Sequence, residues 1–218
     1  FVKSFAAQAK RIDMILLDGK KLSQKILAEV KKDIEKIGKQ VVLAVIAVGK
    51  DPAGESFIAQ KEKTARSIGV EVQLHRFDEG ITTEGLCRKV DKISDAKDVN
   101  GVIVQLPLPS QIDRQRVLDT IPLEKDIDVL STRAVDAFAS GNHSIMPPVA
   151  GAVKAFFVEY KIDYKNKRIA VVGTGNLVGK PVALWLEREG VSFSVVTQTS
   201  EKPAAILREA DIIISGTG

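Results

Sequence analysis

The chain has 218 residues, which suits one large domain or two small ones and is long enough for a substantial core. Hydrophobic residues make up 44% and charged residues 28%, as in an ordinary soluble globular protein. The net charge of +4 comes from interspersed acids and bases, so no nucleic-acid partner is expected, although the positive bias could favour an anionic small molecule. No apolar run approaches the ~20 residues of a membrane-spanning helix, so no membrane partner is expected either.

The cysteine usage points to a reducing compartment. Cys87 is the only cysteine, so an internal disulfide is excluded, and with two histidines the chain cannot build a Cys/His metal cluster. We therefore expect a cytoplasmic location and no metal. Residues 1–13 are basic and contain alanine, and they read as a targeting leader, a cloning remnant or a disordered start; an organellar leader is the alternative to the cytoplasm.

Strand-like and helix-like segments alternate along the chain from Met14. The predicted helices are 22–37, 55–68, 82–93, 111–120, 151–160, 177–190 and 204–210, and the predicted strands are 41–48, 70–77, 102–106, 168–172, 193–196 and 211–215. This alternation predicts an α/β fold with parallel sheets in two domains. The Pro147-Pro148 pair is the predicted boundary, which gives domains 14–148 and 149–218.

The second domain has fewer strands than its class normally has. A doubly wound dinucleotide domain has about six strands, whereas three are predicted here. We therefore expect an incomplete Rossmann-like domain, either because the chain is C-terminally truncated or because a partner completes it.

A glycine turn joins a predicted strand to a predicted helix. Its glycines are Gly173, Gly175 and Gly179, so the third glycine comes one residue later than in G-x-G-x-x-G. Gly173 permits the tight turn, Gly175 lets the backbone approach a pyrophosphate, and the amides at the helix start favour an anion. The pattern indicates a nucleotide site; a purely structural turn is the alternative.

The strand that follows does not discriminate between nicotinamide cofactors. After residues 193–196, an acidic residue would bind the ribose hydroxyls of NAD and arginines would suit the extra phosphate of NADP. The chain has Thr197, Gln198 and Thr199 there, which could hydrogen-bond to either form. The choice between NAD and NADP therefore stays open.

Polar residues in the first domain suggest a second half of the site. Phe57 and Lys61 are four residues apart and share a helix face, which suits the floor of a flat heterocycle or, alternatively, a core ring beside a snorkelling lysine. Gln105 ends a buried strand, where ligands collect in open α/β sheets. Asp126 and Asp128 lie on one side of a short extended segment, and spacing alone makes them solvated loop acids.

Together these segments resemble the bifunctional methylenetetrahydrofolate dehydrogenase/cyclohydrolase family. Residues 17–22 resemble its opening strand and helix, and 48–61 resemble P-A-S-x-x-Y-x-x-x-K. The sequence G-V-I-V-Q-L-P-L-P at 101–109 is similar to G-x-x-V-Q-L-P-L-P. Residues 122–128 resemble P-x-K-D-V-D, and 172–181 resemble G-R-S-x-x-V-G-x-P. Order and spacing match from residue 14 to residue 218.

The resemblance implies oxidation of 5,10-methylenetetrahydrofolate with NAD or NADP and hydrolysis of the methenyl product to 10-formyltetrahydrofolate. It implies catalytic roles for Lys61, Gln105 and Asp128, with Asp128 anchoring the pterin, and substrate contacts from Phe57 and Pro107. The cofactor contacts that it implies are Gly173, Thr174, Gly175, Asn176, Val178 and Gln198. The family's usual homodimer is also expected, provided that the nucleotide domain is complete.

Several positions depart from the family pattern. Phe57 replaces its tyrosine, Gly54 its serine and Val129 its glycine, whereas Thr174 and Gly175 stand where Arg and Ser are usual. Losing that arginine weakens the case for NADP, and the family's C-terminal folate-binding segment is absent. Two other interpretations therefore stay open: another two-domain NAD(P)-dependent dehydrogenase, and a non-catalytic folate- or nucleotide-binding remnant.

Overall fold

Two three-stranded parallel sheets, each flanked by helices, form the framework of the protein. The computed structural model describes residues 14–217, so the predictions for residues 1–13 lie outside the described residues. The helices are α1 (Gly19–Ile37), α2 (Pro52–Ser67), α3 (Thr83–Ser94), α4 (Arg114–Leu118), α5 (Thr132–Ala139), α6 (Pro148–Glu159), α7 (Gly179–Arg188) and α8 (Pro203–Glu209). The strands are β1 (Val41–Val48), β2 (Val70–Phe77), β3 (Gly101–Val104), β4 (Ile169–Val172), β5 (Phe193–Val196) and β6 (Ile212–Ser215).

All strand pairs are parallel, which confirms the predicted α/β class. The strand orders are β2-β1-β3 and β5-β4-β6. In the first sheet Ile46 pairs with Val104, so β1 and β3 end side by side, and the loop to α2 and Gln105 lie at the same sheet edge. Carboxyl ends of parallel strands are where ligands bind in such folds.

The central strand β1 is buried on both faces, which explains its uninterrupted apolar run. Ala44 and Ile46 pack with Leu86 of α3, whereas Val45 on the opposite face packs with Ile58 of α2. Each of these five residues is at most 4% exposed. The two-sided packing fixes α2 against β1 and thereby places the helix that carries Phe57 and Lys61.

Some predicted boundaries were wrong for local reasons. Helix α2 begins at Pro52 rather than residue 55, because the Asp51 side chain accepts a hydrogen bond from the Gly54 amide at 2.7 Å and Pro52 occupies the first turn. Residues 14–18 form no strand, contrary to the implied opening strand. Helix α5 was not predicted; the Ser131 side chain caps it by accepting from the Ala134 amide at 3.2 Å.

The second core cluster gathers around Trp185 and also contains Val129 and Phe138, which precede the Pro147-Pro148 pair. Helix α1 contacts α6, since the Asp18 amide donates to the Tyr160 hydroxyl at 2.7 Å. Packing thus crosses the division at 148, and the limits 14–148 and 149–218 stay a proposal. Within residues 14–217, every helix is too short or too polar to cross a membrane.

Candidate active site

A lysine and a glutamine that are 44 residues apart meet at the end of β3. Lys61 of α2 donates from its Nζ to Oε1 of Gln105 at 2.7 Å. The other end of the amide is also held, because Nε2 of Gln105 donates to the carbonyl oxygen of Leu106 at 2.7 Å. Both side chains are half-buried, so the amide presents a fixed acceptor to the lysine.

Asp128 lies near this pair. Burial raises the pKa of its carboxyl above the ordinary value, while the positive charge of Lys61 opposes that rise and the negative charge of Asp126 adds to it. The structure therefore brings Lys61, Gln105 and Asp128 together, although their catalytic roles stay a proposal. A lysine near a half-buried carboxyl suits the binding and proton transfers of a polar heterocycle.

Asp126 corrects the prediction of two solvated acids on an extended segment. Lys125 ends a 3-10 turn, and Asp126 is only 1% exposed. Its Oδ2 accepts from the amides of Leu130 at 3.1 Å and Ser131 at 2.8 Å. Asp126 is thus a buried cap whose charge is satisfied by backbone donors, and alternate residues of the segment serve different purposes.

Val129, next to Asp128, adopts the left-handed conformation with φ 54°. This region costs a residue with a Cβ roughly 1–2 kcal/mol, and a β-branched side chain is seldom found there. The Val129 side chain is 2% exposed within the second core cluster, so burial offsets this strain. The glycine usual in the resembling family has no such strain.

Phe57 is 62% exposed, so the alternative that placed it in the core was wrong. It lies four residues before Lys61 on α2 and one turn from it. Pro107 is also exposed, at the end of the strand that carries Gln105. An uncovered ring beside the lysine and glutamine is compatible with a floor for a flat substrate, which stays a proposal.

The glycine loop connects β4 to α7 and has one close contact. Gly173 has φ 91°, as a tight turn requires. A Cβ at Gly179 would overlap the carbonyl oxygen of Gly173, so the third glycine brings the helix against the turn. Helix α7 begins at Gly179 rather than residue 177, and among residues 14–217 no side chain caps its first turn. The Lys180 amide donates to the Gly175 carbonyl at 3.1 Å and Val182 donates to Val178, so the Gly179 amide is the donor of this turn that is left for an anion among the described hydrogen bonds.

We expect Gly179→Ala to destabilise the protein by about 1–3 kcal/mol or more, since the new methyl group meets backbone rather than a flexible side chain. Thermal unfolding followed by circular dichroism measures this. Gly175→Ala is the matched control: no described heavy atom lies within 4 Å of its Cβ position, so stability should be unchanged. Equal unfolding temperatures for the two variants would contradict the assigned contact.

The loop after β5 is partly engaged with itself. The hydroxyls of Thr197 and Thr199 lie 3.0 Å apart, and the Thr197 amide donates to the Ser200 hydroxyl at 2.9 Å. Gln198 is exposed between them. The side chain of Gln198 is therefore the more available contact for a ribose, and the loop holds no group that decides between NAD and NADP.

A cleft separates the glycine loop from the segment that follows β3. Two adjoining cavities, about 120 Å³ and about 660 Å³, both include Leu106 on one side and Leu177 on the other. Asn176 borders the first and Pro107 the second. Arg114 lines both cavities and Lys180 the first; the sequence analysis missed these two cations, which only the approach of the two domains places together. Gln105 lines a third, smaller cavity, which shares Leu106 and Pro107 with the second.

This geometry defines a class: a two-domain α/β protein whose glycine loop lies across a cleft from the carboxyl end of the first sheet. Two family profiles match the chain, the tetrahydrofolate dehydrogenase/cyclohydrolase catalytic domain over residues 17–128 and the NAD(P)-binding domain of the same family over 147–218.

Individual relatives agree with the two profiles. The bifunctional protein FolD of Mycoplasmopsis synoviae is 36% identical over 211 residues, which cover 94% of this chain and 74% of the relative. The crystal structure of the Campylobacter jejuni bifunctional FolD enzyme superposes with a TM-score of 0.89 at 32% identity, covering 94% of this chain and 74% of that one. The Trypanosoma brucei FolD, complexed with NADP cofactor and inhibitor, gives 0.87 at 28% identity, with 94% and 72% covered.

The chain belongs to the tetrahydrofolate dehydrogenase/cyclohydrolase family, which confirms the resemblance predicted from its motifs.

Proposed function

We propose that this chain oxidises 5,10-methylenetetrahydrofolate to 5,10-methenyltetrahydrofolate and hydrolyses the product to 10-formyltetrahydrofolate. The observation that carries this proposal is the Lys61–Gln105 contact at 2.7 Å beside Asp128, on the motif positions that the family uses. The family membership of both domains supports the two activities together.

Lys61 and Gln105 are proposed to serve the hydrolytic step. Water adds to the cationic methenyl carbon, loses a proton, and the carbon–nitrogen bond to one ring nitrogen then breaks to leave the formyl group. Lys61 accepts and returns the proton through its Nζ, which Gln105 holds in place. An N–H of the same Nζ can also donate to the added oxygen and stabilise the negative charge that develops on it.

Asp128 and Phe57 are proposed to hold the substrate. The Asp128 carboxylate accepts two hydrogen bonds from the pterin ring, a recognition that suits a planar heterocycle. The exposed ring of Phe57 stacks against it without the hydroxyl that the family's tyrosine supplies. Pro107 lines a small cavity together with Gln105 and is the proposed further contact of the substrate.

NAD or NADP is the proposed hydride acceptor of the oxidation. The residues of the glycine loop fit such a group, because Gly175 leaves open space beside its backbone and the Gly179 amide at the start of α7 has no partner among the described hydrogen bonds. Gly173, Thr174, Gly175, Asn176, Val178 and Gln198 are the proposed contacts. Arg114 and Lys180 add positive charge within the cleft and suit the phosphates of either cofactor.

The direct test is absorbance-monitored turnover of methylenetetrahydrofolate with NAD and with NADP in parallel, followed by hydrolysis of methenyltetrahydrofolate without nicotinamide. We expect turnover with at least one cofactor, and the preferred one settles the choice that Thr174 and Gln198 leave open. Binding of the folate without any turnover would instead support a non-catalytic remnant. Turnover of another metabolite, but not of the folate, would contradict the proposal.

Assembly and location are proposed on narrower grounds. The proposed homodimer rests on the family resemblance; β5 and β6 are the edge strands of the second sheet and are open to further pairing in the described chain. Sedimentation velocity tests the proposed homodimer, and a monomer at all concentrations would contradict it.

A cytoplasmic location is proposed because the single cysteine, Cys87, leaves no internal disulfide to form.

A further inference from the structure

The segment that carries Asp128 is tied to α3 on its N-terminal side. Lys125 donates from its Nζ to the carbonyl oxygens of Ser94 at 2.5 Å and Ala96 at 2.9 Å. These carbonyls lie at the end of α3, where helix carbonyls lack partners within the helix and the helix dipole favours a cation. The ammonium thus satisfies a helix end and fixes the segment 31 residues away in sequence.

The same segment is tied to β3 and to the start of α5 through Asp126. Its backbone forms a parallel bridge with Val102, and its buried carboxylate accepts from the Leu130 and Ser131 amides. Ile127, the next residue, packs its methyl group against Gly101, where a Cβ would lie 3.0 Å away. Asp126 therefore closes a short turn whose two ends cannot separate.

Only three residues lie between these attachments and Leu130, and one of them is held in an unfavourable backbone conformation. Val129 has φ 54°, and the family pattern has glycine at this place. Relaxation of Val129 to negative φ would rotate the neighbouring Asp128 relative to Lys61. Burial of the Val129 side chain opposes part of that relaxation, and the attachments of Lys125 and Asp126 are placed to oppose the rest from the other side of Asp128.

We propose that Lys125 and Asp126 are positioning residues that hold Asp128 toward Lys61 against the conformational preference of Val129. The K-D-x-D motif then has a divided purpose, with its first two side chains facing the protein and its last one facing the substrate. This inference rests on the substrate-binding role proposed for Asp128.

The test compares Lys125→Met, which keeps the aliphatic stem, with Lys125→Arg, which keeps donors for the two carbonyls. In methenyltetrahydrofolate hydrolysis we expect Lys125→Met to raise KM about tenfold with kcat changed less than threefold, because a misplaced binding group weakens substrate contact. Lys125→Arg should restore most of the affinity. Lys97→Met, a change at an exposed lysine near the same helix end, is the control and should leave KM unchanged.

A merely structural role would lower the folded fraction, and hence apparent kcat, without changing KM. Folded Lys125→Met with KM within twofold of the wild type would overturn the proposal. If Lys125→Met does not fold, Asp126→Asn gives the same readout, since its amide keeps one acceptor for the Ser131 amide. The same KM limit then applies to that variant.

The same Lys125 substitution in a Val129→Gly protein tests whether Lys125 acts against the conformational preference of Val129. In Val129→Gly the left-handed conformation carries no steric penalty, so Lys125→Met should raise KM less than about threefold there. An equal rise of KM in the wild-type and Val129→Gly proteins would overturn the proposed coupling.

Asp128→Asn distinguishes a failure of this inference from a failure of the proposed function. An unchanged KM in Asp128→Asn contradicts the proposed function itself. A raised KM in Asp128→Asn, together with an unchanged KM in Lys125→Met, contradicts this inference alone.

Discussion

Lys61→Ala should lower methenyltetrahydrofolate hydrolysis about 10²- to 10⁴-fold, the usual contribution of a positioned acid–base group. The substitution removes the only donor that reaches Oε1 of Gln105 among the described contacts. The free energy of unfolding should change little, because Lys61 is half-buried and belongs to neither of the hydrophobic clusters on the two faces of β1. Hydrolysis is followed by absorbance at saturating substrate, and folding by thermal unfolding.

Lys63→Ala is the matched control for this prediction, since Lys63 lies two residues further along α2 and is exposed. It should retain wild-type hydrolysis. A correctly folded Lys61→Ala protein that hydrolyses the substrate at the control's rate would remove Lys61 from the mechanism. An equal loss in both variants would indicate a general charge effect instead of the specific contact.

Asp128→Asn should weaken folate binding about 100-fold, since about 3 kcal/mol of charge-assisted hydrogen bonding is lost. The same substitution should raise the thermal stability at neutral pH. Burial disfavours the charged carboxylate of Asp128, which is why its pKa is raised, and the neutral amide of asparagine does not carry that cost. Substrate affinity is measured by fluorescence titration and stability by thermal unfolding. A variant that binds the folate normally would contradict the role of Asp128.

The sign of the accompanying pH dependence follows from linkage. Since the folded state raises the pKa of the Asp128 carboxyl, it binds the proton more tightly than the unfolded chain does. Stability is therefore lost as the pH rises from the unfolded pKa through the raised folded one, and the loss persists at higher pH. The unfolding temperatures of the wild type and Asp128→Asn should converge at acid pH and diverge above this window. Divergence in the opposite direction would contradict the pKa shift.

Asp98→Asn is the control for both readings, because Asp98 is an exposed acid in the loop before β3. Its removal should leave folate affinity and the pH dependence of stability as they are in the wild type. The contrast isolates burial, rather than the loss of one negative charge, as the cause.

Several strands and turns of this protein could be predicted from the sequence, because local interactions determine them. The strands at 41–48 and 70–77 were predicted with their observed limits. Two-sided burial gives the first a continuous apolar run, whereas the second alternates polar and apolar residues at its start. The glycine turn after β4 was also predictable, since Gly173 needs a positive φ that few other residues adopt. The motif at 101–109 placed Gln105 at a strand end before any contact was known.

Tertiary structure decided what the spacing left open. Lys61 and Gln105 are far apart in the chain and meet only because β1 and β3 are neighbours. Asp126 and Asp128 look equivalent in sequence, yet Asp126 accepts from the amides of Leu130 and Ser131, whereas burial raises the pKa of Asp128 and the charge of Lys61 opposes that rise. Alternation and glycine placement are local properties of a chain, whereas burial, pKa shifts and partners depend on which distant segments pack together, and local sequence does not encode that choice by itself.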